Sequence, residues 1–247
     1  MSSMREFEAR VLRDGAAAAI VILTLVMFSG GPAAAEPGFA LRPQTAPGTP
    51  ASTNDPMSQV RSGVGDVMAV FKVPEMPLRV RREKLRELGA KYFDFNSMSR
   101  SVLGYHWREL SPAQRAEFVT VFTRFIENAY LSKLQDYSVK KVAEELPSVN
   151  IRFTRETFDG PDYAQVYSTV TLREQKDPIE LNYLMHLVGG RWKVYDVTVD
   201  AISVIANYRN QINRSMNQSG YDQLVADLRA KTSGLQQQLD NANPTRE

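Results

Sequence analysis

The spacing of apolar residues divides the chain into a helical first half, a strand-rich middle and a helical end. An apolar stripe at helical spacing stops before Pro74 and predicts a first helix; it consists of Val60, Val64, Val67, Met68 and Phe71. A second, strongly basic helix follows, with its stripe at Leu78, Leu85, Leu88 and Tyr92. A third helix is predicted after the stretch SPAQ, because Ser111 can cap it, Pro112 suits its first turn and Gln114 completes a capping box. Its apolar face comprises Phe118, Phe122, Phe125, Ile126, Ala129 and Tyr130.

From about residue 138 the apolar period changes from 3.6 to 2, which predicts about four antiparallel strands in series. The stretch FDGPD, residues 158–162, provides a loop between the first two strands, and Gly189-Gly190 suits a tight hairpin between the last two. The apolar sides of the strands carry Val149, Ile151, Phe153, Val166, Val170, Leu172, Ile179, Leu181, Tyr183, Met185 and Leu187.

Two further helical stripes close the pattern, one at Ile202, Ile205 and Tyr208 and one at Leu224, Val225 and Leu228. The order of helices, antiparallel strands and helices predicts an α+β fold, in which a curved sheet is wrapped by helices. A curved sheet and a straight helix diverge at one end, so we expect a cone with an apolar cavity. The composition alone does not separate a filled core from a lined cavity.

The first 35 residues differ from the rest of the chain and have the layout of a secretory signal peptide. They contain three arginines, an apolar run from Ala16 to Phe28 and small residues up to Ala35. We therefore expect export to the periplasm with cleavage after Ala35, and an uncleaved anchor is the alternative. Residues 36–56 are rich in proline and predict a disordered leader, residues 57–234 a folded domain, and residues 235–247 a disordered tail.

Charge and cysteine content narrow the class of protein. The chain has 247 residues, a formal net charge of +2 and no cysteine, which argues against a nucleic-acid partner and excludes a disulfide framework. Residues 79–87, RVRREKLRE, are locally basic. A solvated helix face is the favoured explanation for that run, and contact with anionic headgroups or an acidic partner is the alternative.

Few residues suggest catalysis or metal binding. His106 and His186 are the only histidines and lie far apart in the sequence, so we expect surface or hydrogen-bonded side chains. Asp196 and Asp200 raise the possibility of an acid–base pair. We favour a structural role for both, with Asp200 as the N-cap of a helix that begins near Ala201.

Two segments carry a family resemblance: residues 92–130 and residues 192–228. The matching features are Leu103-Gly104 followed by Trp107, the SP-Q helix start, and the passage from Tyr195-Asp196 to Asn207-Tyr208-Arg209. In these features the chain resembles the MlaC family, also called the toluene-tolerance auxiliary component family. One departure is Ala201, where members often carry Gly.

The resemblance implies a fold akin to nuclear transport factor 2 and a periplasmic phospholipid carrier without catalysis or cofactor. It implies two partners, namely an inner-membrane ABC transporter with an MCE-domain subunit and an outer-membrane lipoprotein complex. A monomer is expected, and transient contact with a membrane surface is possible. Acyl chains would lie between the sheet and the helices. The predicted lipid-binding residues are Val102, Leu103, Phe118, Phe122, Phe125, Ile126, Val170, Leu181, Tyr183, Met185, Trp192, Val194, Ile202, Ile205 and Tyr208.

Three alternatives stay open at the level of sequence. The cargo could be a hopanoid or another hydrophobic lipid. The same fold could hold a small-molecule enzyme, which would require paired acids or a His and Asp pair inside the cavity. A solid-cored module that only recruits other envelope proteins would carry no lipid.

Overall fold

The computed structural model describes residues 55–73, 75–135, 149–171 and 177–241, with the side chains of residues 133–135 left aside. The expected signal peptide, nearly all of the leader, Leu172 and the last six residues of the tail lie outside this described part. Within it, the fold is α+β with one antiparallel sheet, as the sequence predicted. None of its helices has the length and apolar character that crossing a bilayer requires.

In the described residues, five helices precede the sheet: α1 (Pro56–Phe71), α2 (Leu78–Tyr92), α3 (Phe95–Leu103), α4 (His106–Glu109) and α5 (Pro112–Gln135). Helix α1 begins at Pro56, one residue inside the expected leader, because Asp55 caps it by accepting from the N–H of Ser58 at 2.6 Å. The capping box predicted for α5 is confirmed. The Ser111 N–H donates to Gln114 Oε1 at 2.9 Å, and the Gln114 N–H donates to Ser111 Oγ at 3.2 Å.

Helices α3 and α4 were not predicted from the sequence. Asp94 starts α3 by accepting from the N–H groups of Asn96 and Ser97, at 3.0 and 3.1 Å. The helix ends at Gly104, whose φ of 57° is in the left-handed region that favours glycine. A parallel bridge between Phe93 and Val194 attaches the start of α3 to the sheet.

The sheet is a meander in the order β1 (Asn150–Asp159), β2 (Tyr163–Thr171), β3 (Ile179–Val188), β4 (Arg191–Val199) and β5 (Ile202–Ser203). The four long strands match the prediction, and the two-residue β5 is an addition to it. Gly189 and Gly190 have φ of 56° and 77°, so they form the tight β3–β4 hairpin that their sequence indicated.

Helix α6 (Val204–Asn241) completes the fold and is interrupted at Gly220, where φ is 76° and ψ is −179°. The interruption separates the two apolar stripes that the sequence placed in two helices. The expected tail boundary at residue 234 is wrong, because α6 continues to Asn241 and Leu239 is fully buried. Helices α5 and α6 pack against each other, and α6 also contacts β4. Phe118 and Phe122 stack at 5.6 Å, and Tyr208 of α6 meets Phe122 edge-on at 6.0 Å.

Candidate functional site

An apolar cavity of about 120 Å³ lies between α1 and α2 on one side and α5, β3 and β4 on the other. Its wall is built from the buried stripes of the helices and the inward residues of the two strands. The lining residues are Gln59, Val60, Gly63, Val64, Val67, Met68, Leu85, Arg86, Leu88, Gly89, Tyr92, Phe93, Phe95, Ile126, Glu127, Tyr130, Leu131, Tyr183, Met185 and Val194. A concave, mostly apolar site with a few polar groups is the usual form of a ligand pocket.

Helices α1 and α2 are held together beside this cavity by close packing and by hydrogen bonds. A methyl group at Gly63 would lie 3.2 Å from the Tyr92 ring, so glycine permits the approach. The Tyr92 hydroxyl donates to Asp66 at 2.7 Å, and Lys91 Nζ donates to the same carboxylate at 2.9 Å. Hydrogen bonds from Tyr92 and Lys91 hold the pKa of Asp66 below its usual value.

One corner of the cavity is polar, and Arg86 and Glu127 form it. Arg86 Nε lies 3.8 Å from Glu127 Oε2, and an Arg86 Nη donates to Asn128 Oδ1 at 3.2 Å. Burial raises the pKa of Glu127 above its usual value, which outweighs the opposite influence of the Arg86 and Arg124 guanidinium groups. The carboxylate of Glu127 is therefore a poorly compensated charge beside apolar surface.

Four of the fifteen predicted lipid-binding residues line the cavity: Ile126, Tyr183, Met185 and Val194. Ten others are buried or half-buried outside its lining, namely Val102, Leu103, Phe118, Phe122, Phe125, Val170, Leu181, Trp192, Ile205 and Tyr208. Ile202 lies in β5 rather than in a helix and is 38% exposed. Contact between lipid and all fifteen residues stays a prediction.

The sequence interpretation missed the contribution of α1 and α2, which supply more than half of the lining. Their apolar stripes were the available signal. Amphipathic spacing shows which side of a helix faces inward, but it does not show whether that side meets packed atoms or open space.

The expected cap at Asp200 is wrong, because Asp196 and Ser203 start α6 instead. Asp196 accepts from the Ile205 N–H at 3.1 Å and from the Ser203 hydroxyl at 2.6 Å, and Ser203 Oγ accepts from the Ala206 N–H at 2.9 Å. Burial raises the pKa of Asp196 despite these hydrogen bonds. The structural role expected for Asp196 is confirmed, and the carboxylate does not line the cavity.

Asp200 and Ala201 form the turn between β4 and β5, with φ of 46° and 65°. Asp200 Oδ1 accepts from the Glu180 N–H at 3.0 Å, which ties this turn to β3. Two successive positive φ values are typical of a two-residue hairpin, in which glycine is preferred. The positive φ of Ala201 therefore lies in the region that favours glycine at this position.

Both histidines are hydrogen-bonded, as expected from their isolation in the sequence. His106 Nδ1 lies 2.9 Å from Glu109 Oε2, and His186 Nε2 lies 2.8 Å from Asp94 Oδ2. Neither histidine lines the cavity. Among residues 55–73, 75–135, 149–171 and 177–241, no cluster of three potential metal ligands is found.

The basic run of α2 differs from the solvated face that was expected. Arg81 and Arg82 are 4% and 8% exposed. The Arg81 guanidinium donates to the carbonyls of Val70 and Val73, each at 2.8 Å, and so holds the connection between α1 and α2. Arg79 and Lys84 of the same run are exposed.

Comparison with known proteins places this architecture in a family. A family model described as MlaC protein matches residues 62–230. The chain belongs to the MlaC family. A MlaC relative from Haemophilus influenzae, the intermembrane phospholipid transport system binding protein MlaC, is 24% identical over 144 residues. That alignment covers 58% of this chain and 64% of the relative.

A solved structure shares the fold of this MlaC-family chain. It is that of a phospholipid-binding protein from Ralstonia solanacearum in complex with a phospholipid. The superposition has a TM-score of 0.60 at 20% identity, and it covers 74% of this chain and 99% of the other. At this identity the likeness concerns the fold.

Proposed function

We propose that this chain is a periplasmic phospholipid carrier that holds the acyl chains of its cargo between the sheet and the helices. The observation that carries the proposal is the family match over residues 62–230, because that range includes most of the apolar cavity lining. The names of the two relatives, one a component of phospholipid transport and the other bound to a phospholipid, support it. The expected signal peptide supports the location.

The chemistry of such a carrier is the shielding of hydrocarbon from water. Two acyl chains contain about 30 methylene groups, and at ~0.8 kcal/mol each their exposure to water would cost more than about 20 kcal/mol. A bilayer shields them equally well, so exchange between membrane and protein is nearly thermoneutral. Direction must then come from the partners, for which we propose an inner-membrane ABC transporter with an MCE-domain subunit and an outer-membrane lipoprotein complex.

The volume of the cavity places a condition on this function. A cavity of about 120 Å³ is slightly smaller than an engineered cavity of ~150 Å³ that accepts benzene. A diacyl lipid is several times larger than benzene, so the apolar cavity must widen to hold both acyl chains.

The proposal is tested with the full chain expressed with its own leader. Protein is purified from the periplasm under non-denaturing conditions, analysed by native mass spectrometry and extracted for lipid. Val64 is half-buried on α1 and lines the cavity, whereas Ser62 is exposed on the same helix. We expect a bound diacyl lipid in the wild type and in Ser62→Trp, and its loss in Val64→Trp because the indole occupies the cavity.

Two results would contradict the proposal. The first is wild-type protein without any bound lipid. The second is full lipid occupancy in a folded Val64→Trp variant, which would place the lipid elsewhere. Thermal unfolding followed by circular dichroism establishes that both tryptophan variants are folded.

A further inference from the structure

The polar corner of the cavity, Arg86 and Glu127, joins two opposite charges that are only loosely paired. Their side chains are 29% and 20% exposed, so they lie where the cavity lining meets the protein surface. The separation of 3.8 Å between Arg86 Nε and Glu127 Oε2 exceeds the length of a hydrogen bond. The pair therefore leaves hydrogen-bonding capacity on both residues.

The other contacts of the two residues leave that capacity largely unused. Arg86 donates to Asn128 Oδ1 at 3.2 Å and has a second acid, Glu83, at 3.6 Å. Within the described part of the chain, the Glu127 carboxylate accepts no hydrogen bond, and its only ion pair is the one with Arg86. A carboxylate that is four-fifths buried would gain from a donor that could reach it.

The charges linked to this corner are balanced. Arg86 and Arg124 act on Glu127 together with Glu83, and Arg82 beside Arg86 is influenced by Asp240. The network of described groups thus contains three cations and three anions. A neutral site of this kind disfavours a ligand with an uncompensated charge and suits one that carries both signs.

We infer that Arg86 and Glu127 recognise the headgroup of a zwitterionic aminophospholipid, with Arg86 donating to the phosphate and Glu127 accepting from the ammonium group. Guanidinium groups bind phosphate oxygens through paired hydrogen bonds. The two charges of a phosphoethanolamine group are joined by two carbons, and the two side chains are adjacent on the cavity wall. This inference rests on the proposed function.

An anionic lipid such as phosphatidylglycerol can make only one of these two headgroup contacts. Its phosphate can accept from Arg86, but its glycerol provides no cation for Glu127. The negative charge of the ligand then lies close to a desolvated carboxylate, which is unfavourable. The corner thus selects phosphatidylethanolamine over phosphatidylglycerol, while the shared acyl chains provide most of the binding free energy.

The experiment uses the full chain, stripped of lipid and then mixed with vesicles that contain equal amounts of phosphatidylethanolamine and phosphatidylglycerol with identical acyl chains. Protein-bound lipid is quantified by mass spectrometry after separation from the vesicles. We expect wild-type protein to be enriched in phosphatidylethanolamine, and Glu127→Gln to reduce that enrichment about threefold to tenfold, as for the loss of one charge-assisted hydrogen bond. Arg86→Lys keeps the charge without the paired donors and is expected to bind less of both lipids.

Glu87→Gln is the matched control, because Glu87 is exposed on the same helix as Arg86 and does not line the cavity. Its lipid ratio should equal that of the wild type. If folded Glu127→Gln loads the same total lipid at the wild-type ratio, the headgroup inference is overturned while the carrier function stands. If no variant and no wild-type protein takes up lipid, the carrier function fails and the inference fails with it.

A second arm separates the lipid headgroup from a soluble phosphodiester. Glycerophosphoethanolamine, which has the same headgroup without tails, is added as a competitor at micromolar concentration. We expect it to leave lipid loading unchanged, because it lacks the apolar part. Displacement of lipid at that concentration would assign the corner to a soluble phosphodiester and overturn the lipid assignment.

Discussion

The Asp196 carboxylate of β4 accepts a hydrogen bond of 3.1 Å from the backbone N–H of Ile205, in the first turn of α6. Strand and helix are thereby joined across nine positions of sequence, and Ser203 adds a second bond of 2.6 Å to the same carboxylate. The N-terminus of α6 is thus capped by a residue of β4, although β5 lies between them in the sequence.

Removal of this carboxylate should weaken the fold without abolishing lipid binding. We expect Asp196→Ala to lower the free energy of unfolding by about 1–3 kcal/mol, because buried N–H groups lose their acceptor. Asp196→Asn retains an acceptor oxygen and should keep its bound lipid. Chemical denaturation measures the first effect, and native mass spectrometry the second.

Asp200→Gly is the control for the cap, since it removes the carboxylate and keeps the left-handed backbone. The loss of unfolding free energy in Asp200→Gly should stay below about 1 kcal/mol. A larger loss for Asp200→Gly than for Asp196→Ala would return the capping role to Asp200.

The turn between β4 and β5 offers a stabilising substitution. Ala201 has a φ of 65°, where a residue with a Cβ is strained by about 1–2 kcal/mol. Ala201→Gly should therefore raise the free energy of unfolding by about 0.5–1 kcal/mol after the entropy of glycine is included. Ala226→Gly, at an exposed position within α6, should lower it by about 1 kcal/mol. Equal losses for both variants would contradict the strain at position 201.

Substitution of Arg81 should lower the free energy of unfolding far more than substitution of the neighbouring basic residue Arg79. Arg81→Met leaves the carbonyls of Val70 and Val73 without their donor in a buried place, so we expect a loss of about 2–4 kcal/mol. Arg79→Met alters an exposed side chain of the same helix, and a change within about 0.5 kcal/mol is expected. Urea denaturation of the two variants compares them directly, and equal stabilities would refute the structural role of Arg81.

The contact between Asp94 and His186 predicts a pH-dependent contribution to stability. Burial favours a higher pKa for Asp94, but hydrogen bonds from Ser97 and His186 outweigh it, and the pKa lies below its usual value. A lowered pKa means that the ionised carboxylate stabilises the fold above about pH 4 and that this contribution is lost as the pH falls through the folded-state pKa. Asp94→Asn should cost about 1 kcal/mol at pH 7.

The difference in unfolding free energy between the wild type and Asp94→Asn should narrow as the pH falls from about 4, the usual pKa of aspartate, to about 2. Asp162→Asn changes an exposed turn residue and serves as the control. A difference that stays constant over this range would show that the charge of Asp94 contributes nothing.

Local signals in the sequence were sufficient for much of the fold. The capping box at Ser111 and the glycine pair at 189–190 depend on residues adjacent in sequence, and both were predicted correctly. The cap of α6 was assigned to the wrong aspartate because the intervening turn at Asp200 and the short β5 have no strong local signature. The correct capping contact links residues nine positions apart and depends on the path of the chain between them.

The site was predictable only in outline. The apolar sides of β3, β4 and α5 contain four of the predicted lipid-binding residues that line the cavity, namely Tyr183, Met185, Val194 and Ile126. Arg81 and Arg82 were expected at the surface, but both are buried. A run of charges in the sequence does not show which of its residues the tertiary packing will bury. The opposing charges of Arg86 and Glu127 are 41 positions apart in the chain, so only the packing of α2 against α5 reveals the pair.

Gly220 has a consequence for the interpretation of mutational scans. Its φ of 76° and ψ of −179° belong to a region of backbone space that is nearly exclusive to glycine. A Cβ at this position would meet no atom within 4 Å, so the intolerance arises from torsion angles and not from crowding. A saturation library would single out Gly220 as indispensable at an uncrowded position, and such a result would reflect the geometry of a corner between two helical segments.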